Sequence, residues 1–384
     1  MPHTTARRRR TRGVTATLAV LLAAGAGLAT AAPGASASTP QPVDTTARAD
    51  PGVLLDSGHF YSFTTSGNPA SGKLPELLEA SSATAGGPWS APANVFSSTS
   101  SWPAWIDKTQ GIWAPDMIKT QGNGYVVYFA AHLNVAAGTA GGIDTKPAGN
   151  SRCIGTAQSS KPDGNFTISA SPLVCFDGYG AGDDMSDAGH RVPGQGVIDA
   201  APVVVTISGS QELFLVYKTQ GLPATIRMVR LSYADGVSVL GTSHELVYGT
   251  ASASPADTIE APSLIQNGSW FILFVAHGNW DSCGYSTQWY KSQHIWSWTH
   301  TGASDLLTMG NTGLCGPGGA DVTASEVSGQ DRIFLHGWVK PGTATPSAPS
   351  TQEQESGQTR VMYAAVLTIG SDGYTPVVGS YLTP

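Results

Sequence analysis

Apolar and polar residues follow one another along this chain in a pattern that repeats five times. Each repeat opens on an apolar run led by an acid or a glycine, passes a glycine-containing turn, and ends in an aromatic, β-rich run. Two such runs separated by a short turn predict a β-hairpin. The five are "DPGVLLDSGHFYSFTTS" from Asp50, "WAPDMIKTQGNGYVVYFAAH" from Trp113, "IDAAPVVVTISGSQELFLVYKT" from Ile198, "IEAPSLIQNGSWFILFVAH" from Ile259 and "GADVTASEVSGQDRIFLHGW" from Gly319.

A third β-rich stretch follows most of the hairpins and stops at a turn, as in "IRMVRLSYADGVSVL" and "VMYAAVLTIGSDGYTPVV". The Asp-Gly pairs in these stretches supply the positive-φ geometry that tight hairpin turns require. Four strands per unit and five units predict an all-β fold, a five-bladed β-propeller over residues 50–384 with four antiparallel strands per blade. The alternative, a β-sandwich, would show shorter and more evenly spaced strands.

Three of the five predicted inner strands open on a carboxylate, although burying an unpaired charge is costly. In a propeller the first strand of each blade lies nearest the axis, so the residues that open these strands converge at one face. Asp50, Asp199 and Glu260 are therefore predicted to share one cavity. Asp116 in "WAPDMI" aligns with Ser263 instead of Glu260, which predicts a structural role for it.

Carboxylates that face each other across a cleft are the working groups of glycoside hydrolysis. One donates a proton to the leaving oxygen, and the other activates water or attacks the sugar. A third carboxylate can position the acid and raise its pKa, because like charges resist joint ionisation. The three acids predict a glycosidase. A non-catalytic carbohydrate-binding propeller is the alternative, and it would be expected to have lost at least one of them.

Further residues are predicted at the same mouth. The second strand of each hairpin runs antiparallel to the first, so its end lies beside the start of the first strand. Flat tryptophan rings next to these segments can stack on sugar faces. The predicted substrate-binding residues are Trp105, Trp113, His132, Lys218, His277, Trp280 and His336.

The first 37 residues have the features of a secretory signal peptide, with the positive segment "ARRRRTRG", an apolar stretch and a small-residue cleavage site at Ala35 to Ala37. A retained transmembrane helix is the weaker alternative, because glycines break the apolar stretch. Cleavage removes five arginines and no acids, which leaves 15 Lys and Arg against 27 Asp and Glu, a net charge of −12. This balance disfavours nucleic acid and anionic membrane as partners. We expect a secreted, extracellular monomer in which residues 38–49 form a tether.

Four cysteines in an exported chain favour two disulfides, for which three pairings exist. The local pairing joins Cys153 to Cys175 and Cys283 to Cys315. Each bridge would contribute roughly 3–4 kcal/mol on a chain-entropy model. Metal binding through these thiols is disfavoured, because the chain has no CxxC spacing.

The ordered motifs "ADPGVLL", "WAPDMI", "VIDAAPVVV", "TIEAPSLI" and "GPGGADV…IFLHGW" resemble those of glycoside hydrolase family 43 and span nearly the whole mature chain. The resemblance implies a five-bladed propeller enzyme that inverts the anomeric centre and acts mainly on α-L-arabinofuranosides, arabinan and β-xylosides. Carried over by motif, it implies that Asp50 is the general base, Glu260 the general acid, and Asp199 the group that modulates the pKa of the acid and orients it.

Two departures from the family pattern bear on a metal. The chain has "IDA" where many members have "IDP", and Gly319 where many have a histidine near the axis, sometimes close to a cation or a water cluster. The resemblance implies no required cofactor. A structural calcium or other cation is left open, with His336 as the remaining candidate ligand.

The expected function is that of an inverting glycosidase acting on arabinose- or xylose-containing plant polysaccharides or oligosaccharides. An α-L-arabinofuranosidase or arabinanase is preferred, with a β-xylosidase of the same family as the alternative. A fructan-active propeller is disfavoured, because its "RDP" and "EC" motifs are absent. The sugar and the linkage depend on mouth loops such as "VFSSTSSWPAWIDKTQG" and "FDGYGAGDDMSDAGHRVPGQG".

Overall fold

The computed structural model describes residues 40–99, 101–134, 151–175, 190, 195–250, 254–325, 327–349, 352–354 and 356–384. The predicted signal peptide and most of the loop that follows Cys175 lie outside these residues. Within them almost all regular secondary structure is β-strand, with one short α-helix, α1 (Met309–Thr312), and one 3-10 turn at Pro255–Asp257. No helix among the described residues has the length and apolar character needed to span a membrane.

The strands form five four-stranded antiparallel sheets, each built from four strands consecutive in sequence. Blade 1 has β1 (Gly52–Asp56), β2 (His59–Thr64), β3 (Leu78–Ser82) and β4 (Ala93–Asn94). Blade 2 has β5 (Trp113–Lys119), β6 (Tyr125–His132), β7 (Arg152–Ser159) and β8 (Thr167–Ile168). Blade 3 has β9 (Val197–Ile207), β10 (Ser210–Thr219), β11 (Thr225–Leu231) and β12 (His244–Tyr248). Blade 4 has β13 (Ile259–Asn267), β14 (Trp270–His277), β15 (Ser286–Ser292) and β16 (Ser304–Leu307). Blade 5 has β17 (Cys315–Ala324), β18 (Asp331–Val339), β19 (Thr359–Ile369) and β20 (Pro376–Tyr381).

The first strands of the blades close into a ring. β1 contacts β5 and β17, β9 contacts β5 and β13, and β13 contacts β17. Five apolar cores lie between neighbouring blades, one at each junction from blade 1 to blade 2 round to blade 5 and blade 1. The second strands have apolar residues on both faces, and every residue of β6 is buried, because each blade packs against two neighbours. The predicted five-bladed β-propeller is confirmed.

The described part of the predicted tether is docked onto the propeller. The N–H of Val43 donates to the carbonyl of Met362 (2.9 Å), and that of Arg48 donates to the carbonyl of Arg360 (2.8 Å). The Arg48 side chain is fully buried and pairs with Asp44 at 2.7 Å. Residues 43–48 thus extend along the start of β19 and add contacts between blade 5 and blade 1.

The two disulfides join Cys153 to Cys175 and Cys283 to Cys315, which is the local pairing predicted from the sequence. The second bridge ties the loop before β15 to the start of β17.

Candidate active site

Each inner strand has a residue in the left-handed region of backbone space near its start. These residues occupy equivalent positions in the five blades, just before strand β1 in blade 1 and within the inner strand in the other four. Left-handed backbone is unfavourable for residues other than glycine, and clustered strain of this kind often marks a functional site. The five φ angles are 53° at Asp50, 40° at Ala114, 57° at Asp199, 46° at Ala261 and 57° at Gly319.

These five positions surround an open cavity on the propeller axis. Residues 50–52, 114–116, 199–201, 261–262 and 319–321 line it. Asp50 and Asp199 stand on the left-handed residue itself, whereas Glu260 precedes the left-handed Ala261 by one position. Asp50 and Asp199 thus line the cavity together, whereas Glu260 is not among its lining residues and lies close enough for its charge to act on Asp199. The individual roles of the three acids stay predictions.

Asp50 is surrounded by hydrogen-bond donors and one cation. The Thr65 hydroxyl donates to Oδ2 of Asp50 (2.6 Å), and Nη1 of Arg360 donates to Oδ1 (3.0 Å). The N–H of Asp50 donates to Nδ1 of His336 (3.1 Å). Asp50 is thus fixed through both carboxylate oxygens and through its backbone.

The pKa of Asp50 lies below its ordinary value, although burial alone would raise it. The Arg360 guanidinium opposes burial through its charge, and hydrogen bonds from Thr65 and Arg360 add to the effect. Burial lowers the pKa of His336 to about 3, and the Arg360 charge acts in the same direction. Because His336 is then neutral near pH 7, we attribute the lowered pKa of Asp50 to Arg360 and the hydrogen bonds. Asp50 is an ionised carboxylate at neutral pH.

Glu260 is buried between two donors from blades 3 and 4. Nζ of Lys218 donates to Oε2 at 2.7 Å, and the Tyr285 hydroxyl donates to Oε1 at 2.9 Å. Burial would lower the pKa of Lys218, but the charges of Glu260 and Asp199 outweigh burial and raise it, so Lys218 is a cation. Burial and the neighbouring acids raise the pKa of Tyr285 well above its ordinary value, which keeps the phenol protonated as a donor.

Asp199 connects to Glu260 through the backbone. Its Oδ2 accepts from the N–H of Ala261 at 2.9 Å, directly after the acid in sequence. Burial raises the pKa of Asp199 to about 7, and the charges of Glu260 and Asp50 add to that rise, while Lys218 opposes it. Asp199 can therefore orient Glu260 through the backbone that follows it.

A second group of polar residues lies two positions further along the inner strands. Asp116 Oδ1 accepts from the N–H of Met117 (2.7 Å), and Ser263 donates to Oδ1 of Asp321 (3.0 Å). Asp116 and Ser263 occupy equivalent positions, as the motif alignment predicted, because both inner hairpins shift register just after their opening residues. Asp116 lines the same cavity, below the level of Asp50 and Asp199.

The other predicted substrate contacts separate into different environments. Trp113 is half-buried, and the Arg152 guanidinium lies 3.2 Å from its ring centroid. Trp280 stacks near Trp338, and the Arg360 guanidinium lies 4.9 Å from the Trp280 ring. His277 is half-buried at the end of β14, and Nδ1 of His132 lies 3.0 Å from the carbonyl of Leu133.

Two predicted contacts need correction. Trp105 is only 4 % exposed and belongs to the apolar core between blades 1 and 2, so it is a packing residue and offers no face to a sugar. His336 is fully buried behind Asp50 and does not line the cavity. Its contact with the site runs through Asp50 instead of through a substrate.

Sequence reasoning missed Tyr285, Arg152, Thr65 and Arg360. Arg152 and Arg360 stand in the first two positions of the third strands β7 and β19, and Tyr285 immediately precedes the third strand β15. The third strand of a blade starts at the face where the second strand ends, so an arginine or tyrosine at that point was a usable signal. Thr65 directly follows the second strand β2, and residues at the ends of second strands were already predicted to lie at the mouth.

A cation site was sought among the His, Cys, Asp and Glu side chains of the described residues. The single cluster of three candidate ligands among them contains Cys283, Cys315 and Glu353, and both cysteines are consumed in a disulfide. Nδ1 of His336 already accepts a backbone hydrogen bond from Asp50, so this nitrogen is not free to bind a metal. The optional structural cation stays a prediction.

The chain matches the family model "Glycosyl hydrolases family 43" over residues 39–374. No curated protein matches it. Among solved structures, it is similar to a thermostable family-43 glycoside hydrolase, with a TM-score of 0.62 and 18 % identity over 88 % of this chain and 94 % of the other. It is also similar to an endo-1,4-beta-xylanase from Bacteroides thetaiotaomicron, with a TM-score of 0.59 and 16 % identity over 90 % of this chain and 99 % of the other. A third similar structure is the alpha-L-arabinanase of Cellvibrio cellulosa complexed with arabinohexaose, with a TM-score of 0.59 and 16 % identity over 88 % of this chain and 99 % of the other.

Proposed function

The chain belongs to glycosyl hydrolase family 43, and from this premise we propose that it is a secreted, inverting glycosidase that acts on arabinose-containing plant polysaccharides or oligosaccharides. As a family member it is a glycoside hydrolase of arabinan- or xylan-type substrates and needs no cofactor for catalysis. The inverting mechanism, the preference for arabinose and the export are the proposal.

The contrast between the surroundings of Asp50 and Glu260 carries the proposal. Asp50 is held ionised by Arg360, which suits a base that takes a proton from water. Glu260 shares its surroundings with a second acid, Asp199, whose pKa is raised to about 7. Two carboxyl groups whose environments differ in this way are suited to separate acid and base roles.

In the proposed reaction a water molecule lies between the sugar and Asp50. Asp50 removes a proton from this water as its oxygen attacks the anomeric carbon from the side opposite the leaving group. Glu260 gives its proton to the departing glycosidic oxygen, so the products are a sugar of inverted configuration and a free hydroxyl. Tyr285 and Asp199 hold Glu260 in place while the bond breaks.

The stereochemical outcome tests the proposal directly. Inverting enzymes keep their two carboxyl groups about 6.5–9.5 Å apart to admit the water, and retaining enzymes keep them about 5–5.5 Å apart. We expect the first-formed sugar to have the opposite anomeric configuration to the substrate, as read by proton NMR early in the reaction. Initial product of retained configuration would overturn the inverting assignment.

The sugar can be assigned with a panel of substrates. The solved structures similar to this chain include an arabinanase and a xylanase at equal TM-score and equal identity. We therefore test aryl α-L-arabinofuranosides, linear arabinan, aryl β-xylosides and xylan side by side, with products resolved by size. A higher kcat/KM on xylosides would replace the arabinose proposal with the β-xylosidase alternative.

Export and oligomeric state are tested on the secreted protein. We expect material in the culture medium to begin after residue 37 and to elute from size-exclusion chromatography as a monomer. N-terminal sequencing and light scattering give the two answers. An N-terminus at residue 1, or a dimer mass, would overturn the corresponding part of the proposal.

A further inference from the structure

A recurring hydrogen bond links neighbouring blades at the mouth. At three seams the N–H of a left-handed opening residue is accepted by a side chain of the preceding blade. Ala114 donates to Oγ1 of Thr65 (2.9 Å), and Ala261 donates to Oδ2 of Asp199 (2.9 Å). Asp50 donates to Nδ1 of His336 (3.1 Å), which joins blade 5 to blade 1 and closes the ring.

His336 occupies space that a side chain at position 319 would need. A Cβ atom placed on Gly319 would lie 2.5 Å from Cε1 and 2.6 Å from Nδ1 of His336. Gly318 lies opposite His336 in the β17–β18 ladder, and a Cβ atom there would meet the ring of Tyr285. The two glycines thus make room for two rings, which lie nearly parallel (11°) with centroids 5.8 Å apart.

Each of these rings makes a hydrogen bond to a different candidate catalytic residue. Tyr285 donates to Glu260, and His336 accepts from the backbone of Asp50. Nδ1 of His336 also lies 3.4 Å from Oδ1 of Asp50. An imidazole nitrogen that accepts an N–H cannot carry a proton, so the neutral ring holds its proton on Nε2. Nε2 is buried and has no hydrogen-bond partner among the described residues.

We propose that His336 is a positioning residue for the general base: its unprotonated Nδ1 accepts the N–H of Asp50 and holds the left-handed backbone from which the base carboxylate reaches the water. The inference rests on the proposed function, because it assigns His336 a role relative to Asp50 as the base. It gives His336 a place in the site that requires neither a substrate contact nor a metal.

Removing or keeping the acceptor distinguishes this role from packing. His336→Leu removes it, and His336→Asn places an amide oxygen close to the position of Nδ1. We expect His336→Leu to lose about 100-fold in kcat with a small change in KM, since a misplacement of about 1 Å can cost that much. The loss should be equal for activated and unactivated leaving groups, because water activation is affected and protonation of the leaving group is not. His336→Asn should recover most of kcat.

His244→Leu is the matched control, because His244 is an exposed histidine on the outer strand β12. Thermal unfolding of each variant confirms that it is folded. Wild-type kcat in a folded His336→Leu variant, or equal damage in the Leu and Asn variants, would overturn the positioning role. If the Leu variant does not fold, nitrogen NMR of histidine-labelled wild-type protein decides, with His336→Asn assigning the signal. A neutral Nε2–H ring between pH 5 and 8 is expected, and a protonated or Nδ1–H ring would overturn the proposal.

Failure of this inference is distinguishable from failure of the proposed function. Asp50→Asn is assayed beside the His336 variants on the same substrates. Retained activity in Asp50→Asn would mean that Asp50 is not the base, and the proposed function would fail. An inactive Asp50→Asn beside a fully active His336→Leu would remove only the role of His336.

Discussion

Asp50 and Asp199 stand at equivalent positions of blades 1 and 3, each on a left-handed residue at the start of an inner strand. Burial favours the protonated form of both, yet the pKa of Asp50 is lowered and that of Asp199 is raised to about 7. Asp50 faces Arg360 and the Thr65 hydroxyl, whereas Asp199 faces the carboxylate of Glu260. The backbone position therefore brings a carboxyl group to the cavity, and side chains from other strands decide its charge.

Asp50 is held ionised, whereas Asp199, with its raised pKa, lies beside Glu260. We therefore expect substitutions of the proposed base, Asp50, and of the proposed acid, Glu260, to have different effects. We expect Asp50→Asn to lower kcat/KM about 10²–10⁴-fold on every substrate, because all of them require water activation. Glu260→Gln should cause a comparable loss only for substrates with poor leaving groups. Aryl glycosides with graded leaving groups provide the measurement, with thermal unfolding as the check on folding. Equal losses across the series in Glu260→Gln would remove its assignment as the acid.

Arg360 is the group that sets Asp50 apart from Asp199. Arg360→Met removes the positive charge, so the pKa of Asp50 should rise. The base is active when ionised, so the acid limb of the kcat/KM profile should move to higher pH. We expect a shift of about one pH unit and a loss of about tenfold below it, since one unit corresponds to about 1.4 kcal/mol.

Arg360→Lys is the matched control, because it keeps a charge near Asp50 while it loses the planar guanidinium. Its acid limb should stay closer to that of the wild type than the limb of the Met variant does. An acid limb that does not move in a folded Arg360→Met variant would show that Arg360 does not hold Asp50 ionised.

The inner ring of this site could be predicted from the sequence, and its outer support could not. "ADPG", "IDAA" and "IEAP" open inner strands, so strand order alone brings their acids together. Lys218 was predicted as a substrate contact at the end of a second strand. In the structure it pairs with Glu260, and the substrate contact stays a prediction. Arg360 and Tyr285 were missed, because the same argument was not extended to the starts of the third strands.

Two other results depend on packing that a sequence pattern does not contain. Trp105 lies in the mouth loop "VFSSTSSWPAWIDKTQG", yet its side chain packs into the core between blades 1 and 2. The direction of this side chain depends on how the loop packs, which the sequence pattern does not contain. Gly319 is explained by the ring of His336, which comes from a different strand seventeen positions later in the chain. A single sequence read motif by motif does not reveal that the two positions compete for one space.

Asp199 and Lys218 act on the acid with opposite charges, which a pair of variants can separate. Where Asp199 is ionised, above its pKa of about 7, Asp199→Asn removes a negative charge beside Glu260, so the basic limb of kcat/KM should move to lower pH. Lys218→Met removes a positive charge, so the same limb should move to higher pH. We expect shifts of about one unit in each direction. Limbs that move in the same direction, or not at all, would contradict this charge balance.

The smallest effect on activity is expected from substitutions of Asp116 and Asp321, which lie further along the inner strands than the proposed catalytic residues. Burial, and then the charge of Asp321, raise the pKa of Asp116 well above its ordinary value, and burial raises that of Asp321 to about 6. The folded protein therefore binds more protons than the unfolded chain between the ordinary value of 3.8 and about 6. The free energy of unfolding should fall as the pH rises through this window, and it should level off only when Asp116 is also ionised.

Asp116→Asn tests this pH dependence. The amide oxygen can still accept from the N–H of Met117, while the substitution removes one buried negative charge from the neighbourhood of Asp321. We expect the variant to be about 1–3 kcal/mol more stable than the wild type at pH 7 and nearly equal to it at pH 4. Chemical denaturation at several pH values measures both, with Asp305→Asn on the outer strand β16 as the control. Parallel stability curves for Asp116→Asn and the wild type would mean that the raised pKa of Asp116 does not affect stability. A stability difference that grows as the pH rises above 4 would show that ionising Asp116 beside Asp321 destabilises the folded protein, independently of Asp50 and Glu260.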